Sequence, residues 1–504
     1  MNTGSDPVDL LVVGGGVNGA GIARDAAGRG LSVVLCEKDD LAQGTSSRSG
    51  KLVHGGLRYL EYYEFRLVRE ALIEREVLLA SAPHIIWPMR FVLPHSPDDR
   101  PAWLVRLGLF LYDHLGGRKR LPGTRTLDLA KAPEGEPLDP RYRRAFEYSD
   151  CWVDDARLVA LNAVDAGERG ATVLTRTACV AARREADLWV AELKDSRTGG
   201  SRNVRARALV NAAGPWVSEV IEDVAGLTSK RAVRLVKGSH IVVKKFWRGP
   251  QAYLIQNSDR RVIFVNPYEG GLALIGTTDI PYDGRPEDVS VDAAEVDYLV
   301  KVVNRYFRTK LSARDVVHSF SGVRPLYDDK AANPSAVTRD YLFELDAGRG
   351  QAPLLSVFGG KITTFRKLAE HAMDRLKPFF PAMGEAWTAK AHLPGGDIAN
   401  ADFGAFEHGL EADYSWLPKE LVAHYARLYG TRTRTLLDGA DKIADLGIAF
   451  GPNFYEREAI YLRDHEWAMS AGDVLDRRTK HGLHLSAVER ADFERWFDTG
   501  QWAG

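Results

Sequence analysis

Gly14, Gly16 and Gly19 stand at GxGxxG spacing, behind an apolar run that starts near Val8. A helix-like stretch follows and leads to Val33-Val34-Leu35-Cys36-Glu37. The chemistry this pattern supports is pyrophosphate binding. Gly14 permits a tight turn, Gly16 lets the backbone approach a pyrophosphate, and Gly19 lets the helix pack closely on the strand. The helix N-terminus then offers unpaired N–H groups and a positive dipole end to the phosphates. Glu37 falls where a carboxylate would accept a hydrogen bond from a ribose 2′-OH. The motif predicts a dinucleotide and leaves open whether it is NAD or FAD.

The elements that position these residues belong to a large soluble protein. A chain of 504 residues, 45% hydrophobic and 27% charged, predicts two or three globular domains. The net charge of −1 supplies no field that would gather nucleic acid, and no nucleic-acid partner is expected. Cys36, Cys151 and Cys179 lie far apart, without metal-ligand or disulfide spacing, which fits a reducing cytoplasm and no bound metal. Met1 to Pro7 carry no basic residue and no apolar run, so no signal peptide is expected, and no stretch reaches the roughly 18–20 apolar residues of a membrane span.

Helices are expected at 63–81, 102–115 and 154–168, with the rest of 84–150 irregular. A strand at 172–174 and a small meander near 178–193 follow. Ala208 to Asn211 read as a buried strand that ends in the turn Ala212-Ala213-Gly214-Pro215-Trp216, where a nucleotide-binding sheet would return to its cofactor. Strands dominate from 233 to 345. Residues 354–374 return to strand, glycine turn and helix through Gly359-Gly360-Lys361, and the composition after Pro394-Gly395-Gly396 turns helical and charged.

Glycine turns recurring near 214 and 360 suit a long cofactor threaded through one domain. With them, the chain resembles the FAD-dependent, aerobic, membrane-associated glycerol-3-phosphate dehydrogenases. The resemblance is carried by Gly14 to Gly19, by Ser46-Ser47 and the run Lys51-Leu52-Val53-His54-Gly55-Gly56-Leu57-Arg58-Tyr59, and by Asn211 to Trp216. It continues through Lys237-Gly238-Ser239-His240, Gly276-Thr277-Thr278-Asp279, Ser321-Gly322-Val323-Arg324-Pro325-Leu326 and Phe358-Gly359-Gly360-Lys361-Ile362-Thr363-Thr364. It implies an α/β fold: a Rossmann-type FAD-binding domain, an inserted antiparallel-β substrate domain and a C-terminal α-helical domain. The expected boundaries are 1–95, 151–232 and 346–390 for FAD, 96–150 and 233–345 for the substrate- and membrane-facing domain, and 391–504 for the helical domain.

The resemblance also implies the reaction: sn-glycerol 3-phosphate is oxidised to dihydroxyacetone phosphate, with a hydride leaving C2 for flavin N5 and the electrons passing to membrane quinone. Such a site needs a cationic clamp for a dianionic phosphate, a proton acceptor and donors toward the developing oxyanion. Arg58 and Arg324 are the clamp candidates, because an arginine fork matches phosphate oxygens. Tyr59 could add a phenolic hydrogen bond. Lys361 faces either the flavin's pyrimidine edge or the substrate. His240 and His54 are the candidate bases. His240 is favoured because it lies in the inserted domain; His54 could line the flavin instead, and Arg324 could also touch the C2 oxygen. The flavin contacts implied are Gly14, Gly16, Gly19, Glu37, Ser46, Ser47, Lys51, Leu52, Val180, Ala213, Gly214, Trp216, Gly359, Gly360, Lys361 and Thr363.

Residues 100–120 combine Trp103, Leu107, Phe110 and Leu111 on one side with Arg106 and Asp113 on the other, closed by Arg118-Lys119-Arg120. That pattern suits either a core helix or one lying in a membrane surface. The resemblance favours the second, on the inner face of the cytoplasmic membrane, and a homodimer is implied on the same ground. Three other functions stay open. One is a glycerol-3-phosphate oxidase using oxygen. Another is an amine or amino-acid oxidase of the same fold. The third is a non-catalytic flavin module whose partner surface would include Trp416, Trp467, Trp496 and Trp502.

Overall fold

The computed structural model describes residues 6–96, 100–117, 119–229, 231–257, 259, 261–327 and 340–500. Two large sheets organise the first three-quarters of the chain. In the first, Val8–Val13 lies between Val33–Cys36 and Ser201–Asn211, parallel to both, and Thr172–Leu174 and Leu354–Gly359 extend it in parallel on either side. Strands that are apolar at nearly every position, such as Leu10 to Val13, suit a parallel sheet covered on both faces. The helices Val17–Gly28, Asp155–Glu168 and Phe365–Leu376 supply one cover, with Ala20, Ala23, Leu161, Phe365 and Leu368 in the shared core. The meander Thr177–Glu185 and Leu188–Asp195 joins the same sheet through Ser201–Asn211.

The second sheet is mostly antiparallel and centres on Val233–Lys244, which pairs with Val316–Tyr327 on one side and Leu272–Gly276 on the other. The helix Ala293–Tyr306 packs on it through Leu299 and Val303, and its start is fixed by a reciprocal cap between Asp292 and Glu295. One expectation fails here. Residues 84–150 are not irregular: Ile86–His95 and Arg144–Val153 pair along their whole lengths, and Ile86–His95 runs parallel to Ala252–Gln256. Sheet membership therefore sets Ile86–His95 with the second sheet, although residues up to 95 were expected with the first. Its partners lie some 60 and 160 residues away, beyond the reach of local periodicity. Tyr341–Asp346, expected in the second unit, pairs instead with Leu354–Gly359 in the first sheet.

Residues from about 400 form a helical domain with a small hairpin, Ala449–Gly451 with Phe454–Tyr455. Its core holds Leu421, Tyr425, Phe454, Phe493 and Trp496, with Trp416 packed against it. Trp467 packs on the first-sheet core, and Trp502 lies outside the described residues. No helix among the described residues is long and apolar enough to cross a membrane.

Candidate functional site

The two sheets face each other across a cavity of about 980 Å³. Its floor is the glycine turn. Gly14 has φ +109°, and a Cβ there would meet the Ala212 carbonyl oxygen at 2.6 Å; at Gly19 a Cβ would stand 1.8 Å from the Gly14 oxygen. Neither residue leaves room for a side chain, so the helix starting at Val17 runs directly from the strand end toward the cavity. Gly16 lines the cavity; Gly19 does not, and acts through packing.

Glu37 also lines the cavity, with its carboxylate already accepting from the backbone N–H groups of Gly15 (2.6 Å) and Asp39 (2.9 Å). Burial raises its pKa against those two hydrogen bonds. Ser46 Oγ accepts from the Val17 N–H at 3.0 Å, so this hydroxyl satisfies one of the helix's open donors while bordering the cavity. Besides Gly19, two of the expected flavin contacts lie elsewhere. Ser47 does not line the cavity; its carbonyl accepts from Lys51. Lys51 is buried away from it, with Nζ on Asp155 at 2.7 Å. An ammonium in a low-dielectric interior takes the nearest carboxylate, and Asp155, a hundred positions on, supplies it. Leu52, Val180, Ala213, Gly214 and Trp216 do line the cavity.

Opposite the turn, Gly359 (φ +76°) and Gly360 (φ +103°) end a first-sheet strand in backbone that favours glycine. Asn18 donates to the Gly359 carbonyl at 3.2 Å, while its buried Oδ1 has no partner among the described residues. Asn18 was missed in the sequence because it fills a variable position of the glycine motif. Two glycine cradles and an unpaired buried amide oxygen on one cavity fit a dinucleotide threaded between them.

The second sheet and the loop after Leu52–Val53 bring in the reactive groups. The His54 N–H donates to Thr363 Oγ1 at 3.1 Å, and the next N–H, of Gly55, donates to Tyr112 OH at 2.8 Å. Burial, with Lys361 and Arg75 nearby, lowers the His54 pKa to about 4. His240 lies flat on Phe320, with ring centroids 4.9 Å apart, and its Nδ1 has no partner among the described residues. Gly276 on the neighbouring strand makes room for it: a Cβ there would be 2.1 Å from the imidazole. Burial, then the charges of Arg324 and Lys51, hold the His240 pKa well below its usual value. Both imidazoles are thus neutral near pH 7, and the same burial makes each a weaker base than a free histidine.

Lys361 Nζ sits 3.8 Å from the Tyr59 ring centroid, and Arg58 reaches Tyr62 OH at 3.4 Å. Arg324 is held from two sides: Nη2 donates to Thr277 Oγ1 at 2.9 Å and Nη1 pairs with the Asp279 carboxylate. His54, Arg58, Tyr59, His240, Arg324, Lys361, Thr363, Gly359 and Gly360 all line the one cavity, and Thr277 and Asp279 join them. These last two lie in a motif quoted for the resemblance, but nothing in the sequence pairs them with Arg324. Outside the cavity, His424, His481 and Tyr429 all converge on the buried carboxylate of Glu458, a hydrogen-bonded group that ties the C-terminal domain together.

Comparison with known proteins agrees with this geometry. Residues 9–366 match the FAD dependent oxidoreductase family, and residues 386–492 match the C-terminal domain of alpha-glycerophosphate oxidase. The chain is 69% identical to D-erythritol 1-phosphate dehydrogenase of Brucella abortus, over 97% of each chain. It is 58% identical to glycerol-3-phosphate dehydrogenase of Pseudomonas aeruginosa, over 96% of this chain and 93% of that one. Among solved structures, glycerol-3-phosphate dehydrogenase of Bacillus halodurans with FAD superposes at a TM-score of 0.76, with 27% identity, covering 98% of this chain and 94% of the other.

Proposed function

Because the chain belongs to the FAD-dependent oxidoreductase family, we propose that it oxidises sn-glycerol 3-phosphate to dihydroxyacetone phosphate and passes the electrons to a membrane quinone. The observation that carries this reading is the convergence on one cavity of two glycine cradles, two neutral histidines and the cations Arg58, Arg324 and Lys361. FAD, when bound, supplies the two-electron acceptor for the hydride that leaves C2. Gly14, Gly16, Asn18, Gly359 and Gly360 would hold it, and Glu37 would face its ribose.

The chain's own residues do the rest. Arg58, Tyr59 and Lys361 bind the phosphate dianion. Arg324, with its charge already balanced by Asp279, faces the alcohol end and donates to the C2 oxygen as it becomes negative. His240 takes the hydroxyl proton: it is neutral at working pH, and although burial makes it a weak base, the hydroxyl turns strongly acidic as hydride leaves C2. Leu57, Leu93, Tyr148, Leu254, Val262 and Phe264 give the same cavity an apolar wall suited to a quinone ring.

The electron acceptor is reached at a membrane surface. The helix Ala102–Leu115 is docked by Leu109 and Tyr112, both buried, while Trp103, Leu104, Leu107 and Phe110 face solvent; Trp103 is 68% exposed. Tyr62, Tyr63 and Phe65, on elements that touch this helix, are exposed too. Large apolar side chains grouped on one face, with Lys119 and Arg120 close by, suit an interfacial helix on the cytoplasmic side; Arg118, also expected there, lies outside the described residues. Arg106, itself exposed, and the half-buried Asp113 both bond Thr124.

A second substrate is favoured by one observation: the Brucella relative shares more of its sequence with this chain than the Pseudomonas relative does. D-Erythritol 1-phosphate carries the same phosphate and secondary alcohols on a longer chain. Anaerobic bleaching of the bound flavin decides. Faster bleaching by glycerol 3-phosphate supports the first reading, and a preference of tenfold or more for erythritol 1-phosphate supports the second. No bleaching by either, with glycine as the amino-acid control, removes both.

A further inference from the structure

We infer that Phe320 is a positioning residue for His240: its ring sets the angle at which the imidazole meets the substrate, and Lys51 steadies that ring. The inference rests on the reading of His240 as proton acceptor given above. His240 and Phe320 stand directly opposite each other on the paired strands Val233–Lys244 and Val316–Tyr327. Directly opposed residues of an antiparallel pair project to the same face, close enough to touch. The two rings do so, 20° from parallel. On the other side of His240 the next strand presents Gly276, and beyond it stands Phe264, so the row Phe320, His240, Gly276, Phe264 crosses four strands. The side chain missing at Gly276 opens a slot for the imidazole, and Phe320 bounds that slot on the opposite side. Phe320 itself does not line the cavity, so any effect it has on the reaction passes through His240.

A histidine base is often oriented by a hydrogen bond at its second ring nitrogen. His240 Nδ1 is buried and has no such partner among the described residues, so packing sets the ring's orientation. The Lys51 ammonium, held on Asp155, lies 5.5 Å from the centre of the Phe320 ring, within cation–π range. Strand alternation sends the neighbours Ser239 and Ser321 to the opposite face. There their hydroxyls hydrogen-bond each other at 2.6 Å, and Ser239 donates to the buried Glu295 carboxylate at 2.7 Å. Thr278 Oγ1 donates to the same carboxylate at 2.8 Å, and Lys237 Nζ pairs with it at 2.6 Å. The backbone beneath the two rings is thus pinned from behind. A change of side chain at 320 therefore alters what the imidazole rests on and leaves the strand register in place.

The test is a double-mutant cycle read by anaerobic stopped-flow reduction of the FAD-loaded protein with glycerol 3-phosphate. Phe320→Leu removes the flat ring and keeps an apolar side chain; Phe320 is half-buried, so the fold should bear the change. The limiting rate should fall about tenfold or more, the scale of a small misplacement of a reacting group, with the half-saturation constant within about twofold of the wild type. Phe320→Tyr keeps the ring and should restore the rate to within about threefold. In a His240→Ala background, Phe320→Leu should cost less than about twofold, because residues that act through one group are not additive. A merely structural role would slow reduction by the same factor with and without His240. Equal slowing in both backgrounds, or a wild-type limiting rate in Phe320→Leu, overturns the inference. Phe320→Met carries the same comparison if the leucine variant does not hold flavin. If His240→Ala alone reduces flavin at the wild-type rate, the proton-acceptor reading fails first and the inference falls with it.

Discussion

Arg478, in the C-terminal domain, grips Asp40, three residues beyond Glu37 on the cofactor side, with two nitrogens at 2.9 and 2.8 Å, and both side chains are fully buried. Arg477 adds a third contact to the same carboxylate at 2.6 Å. Burial alone would raise the Asp40 pKa, but the two guanidiniums hold it below the usual carboxylate range. The helical domain is therefore fastened to the loop that borders the cavity. Arg478→Met should cost about 3–5 kcal/mol, the usual result of breaking a buried pair. Urea denaturation followed in parallel by protein and flavin fluorescence should show the flavin leaving at lower urea than in the wild type. Coincident, unshifted transitions would count against a coupling between the domains.

Gly19→Ala should abolish or greatly weaken FAD binding. Its Cβ would stand 1.8 Å from a backbone oxygen of Gly14, which cannot rotate away as a side chain can. About 1–3 kcal/mol of strain is expected, which corresponds to roughly 5- to 150-fold in FAD affinity. The ratio of visible to ultraviolet absorbance after purification and dialysis measures it directly.

His240→Ala should slow flavin reduction at saturating substrate by about 100-fold or more while changing the half-saturation constant little. Reduction at the wild-type rate would take His240 out of the chemistry. Because the pKa of His240 is held well below 6.5 and that of His54 is lowered to about 4, the limiting rate should show no inflection near pH 6.5.

His84 makes a stability test of the same kind. It is fully buried, both ring nitrogens lack partners among the described residues, and burial, with Arg157 and Arg427 close by, lowers its pKa to about 3. Between about pH 6.5 and 3 the unfolded chain binds a proton there and the folded chain does not. Stability must therefore fall as pH falls through that window. Each pH unit costs about 1.4 kcal/mol from this one group. The His84→Leu variant should lose that component, so denaturation midpoints of the two proteins should converge or cross on acidification. Parallel pH profiles would show that His84 is protonated in the folded state.

Replacing Trp103 and Leu107 together by aspartate should leave dye-linked activity intact and release the protein from anionic vesicles, with at least roughly tenfold weaker co-sedimentation. Both side chains already face solvent, so folding should not suffer. Unchanged sedimentation would move the membrane contact elsewhere.

What was legible in the sequence is what acts over short distances. The glycine spacing from Gly14 to Gly19 requires close backbone contacts within one turn, and those contacts are present. Helices such as Ala102–Leu115 and Asp155–Glu168 follow from local periodicity. Arg324, His240, His54 and Lys361 could be named because each sits in a run long enough to resemble a family. What only the tertiary structure decided is which groups those residues meet. Lys51 turns from the cavity to Asp155, and Arg324 finds its carboxylate at Asp279. Ile86–His95 takes its partners from the second sheet, and Asp40 is answered by Arg477 and Arg478 from the far end of the chain. A buried charge or an open strand edge takes whichever partner the fold brings within a few ångströms, and separation along the chain does not enter that choice.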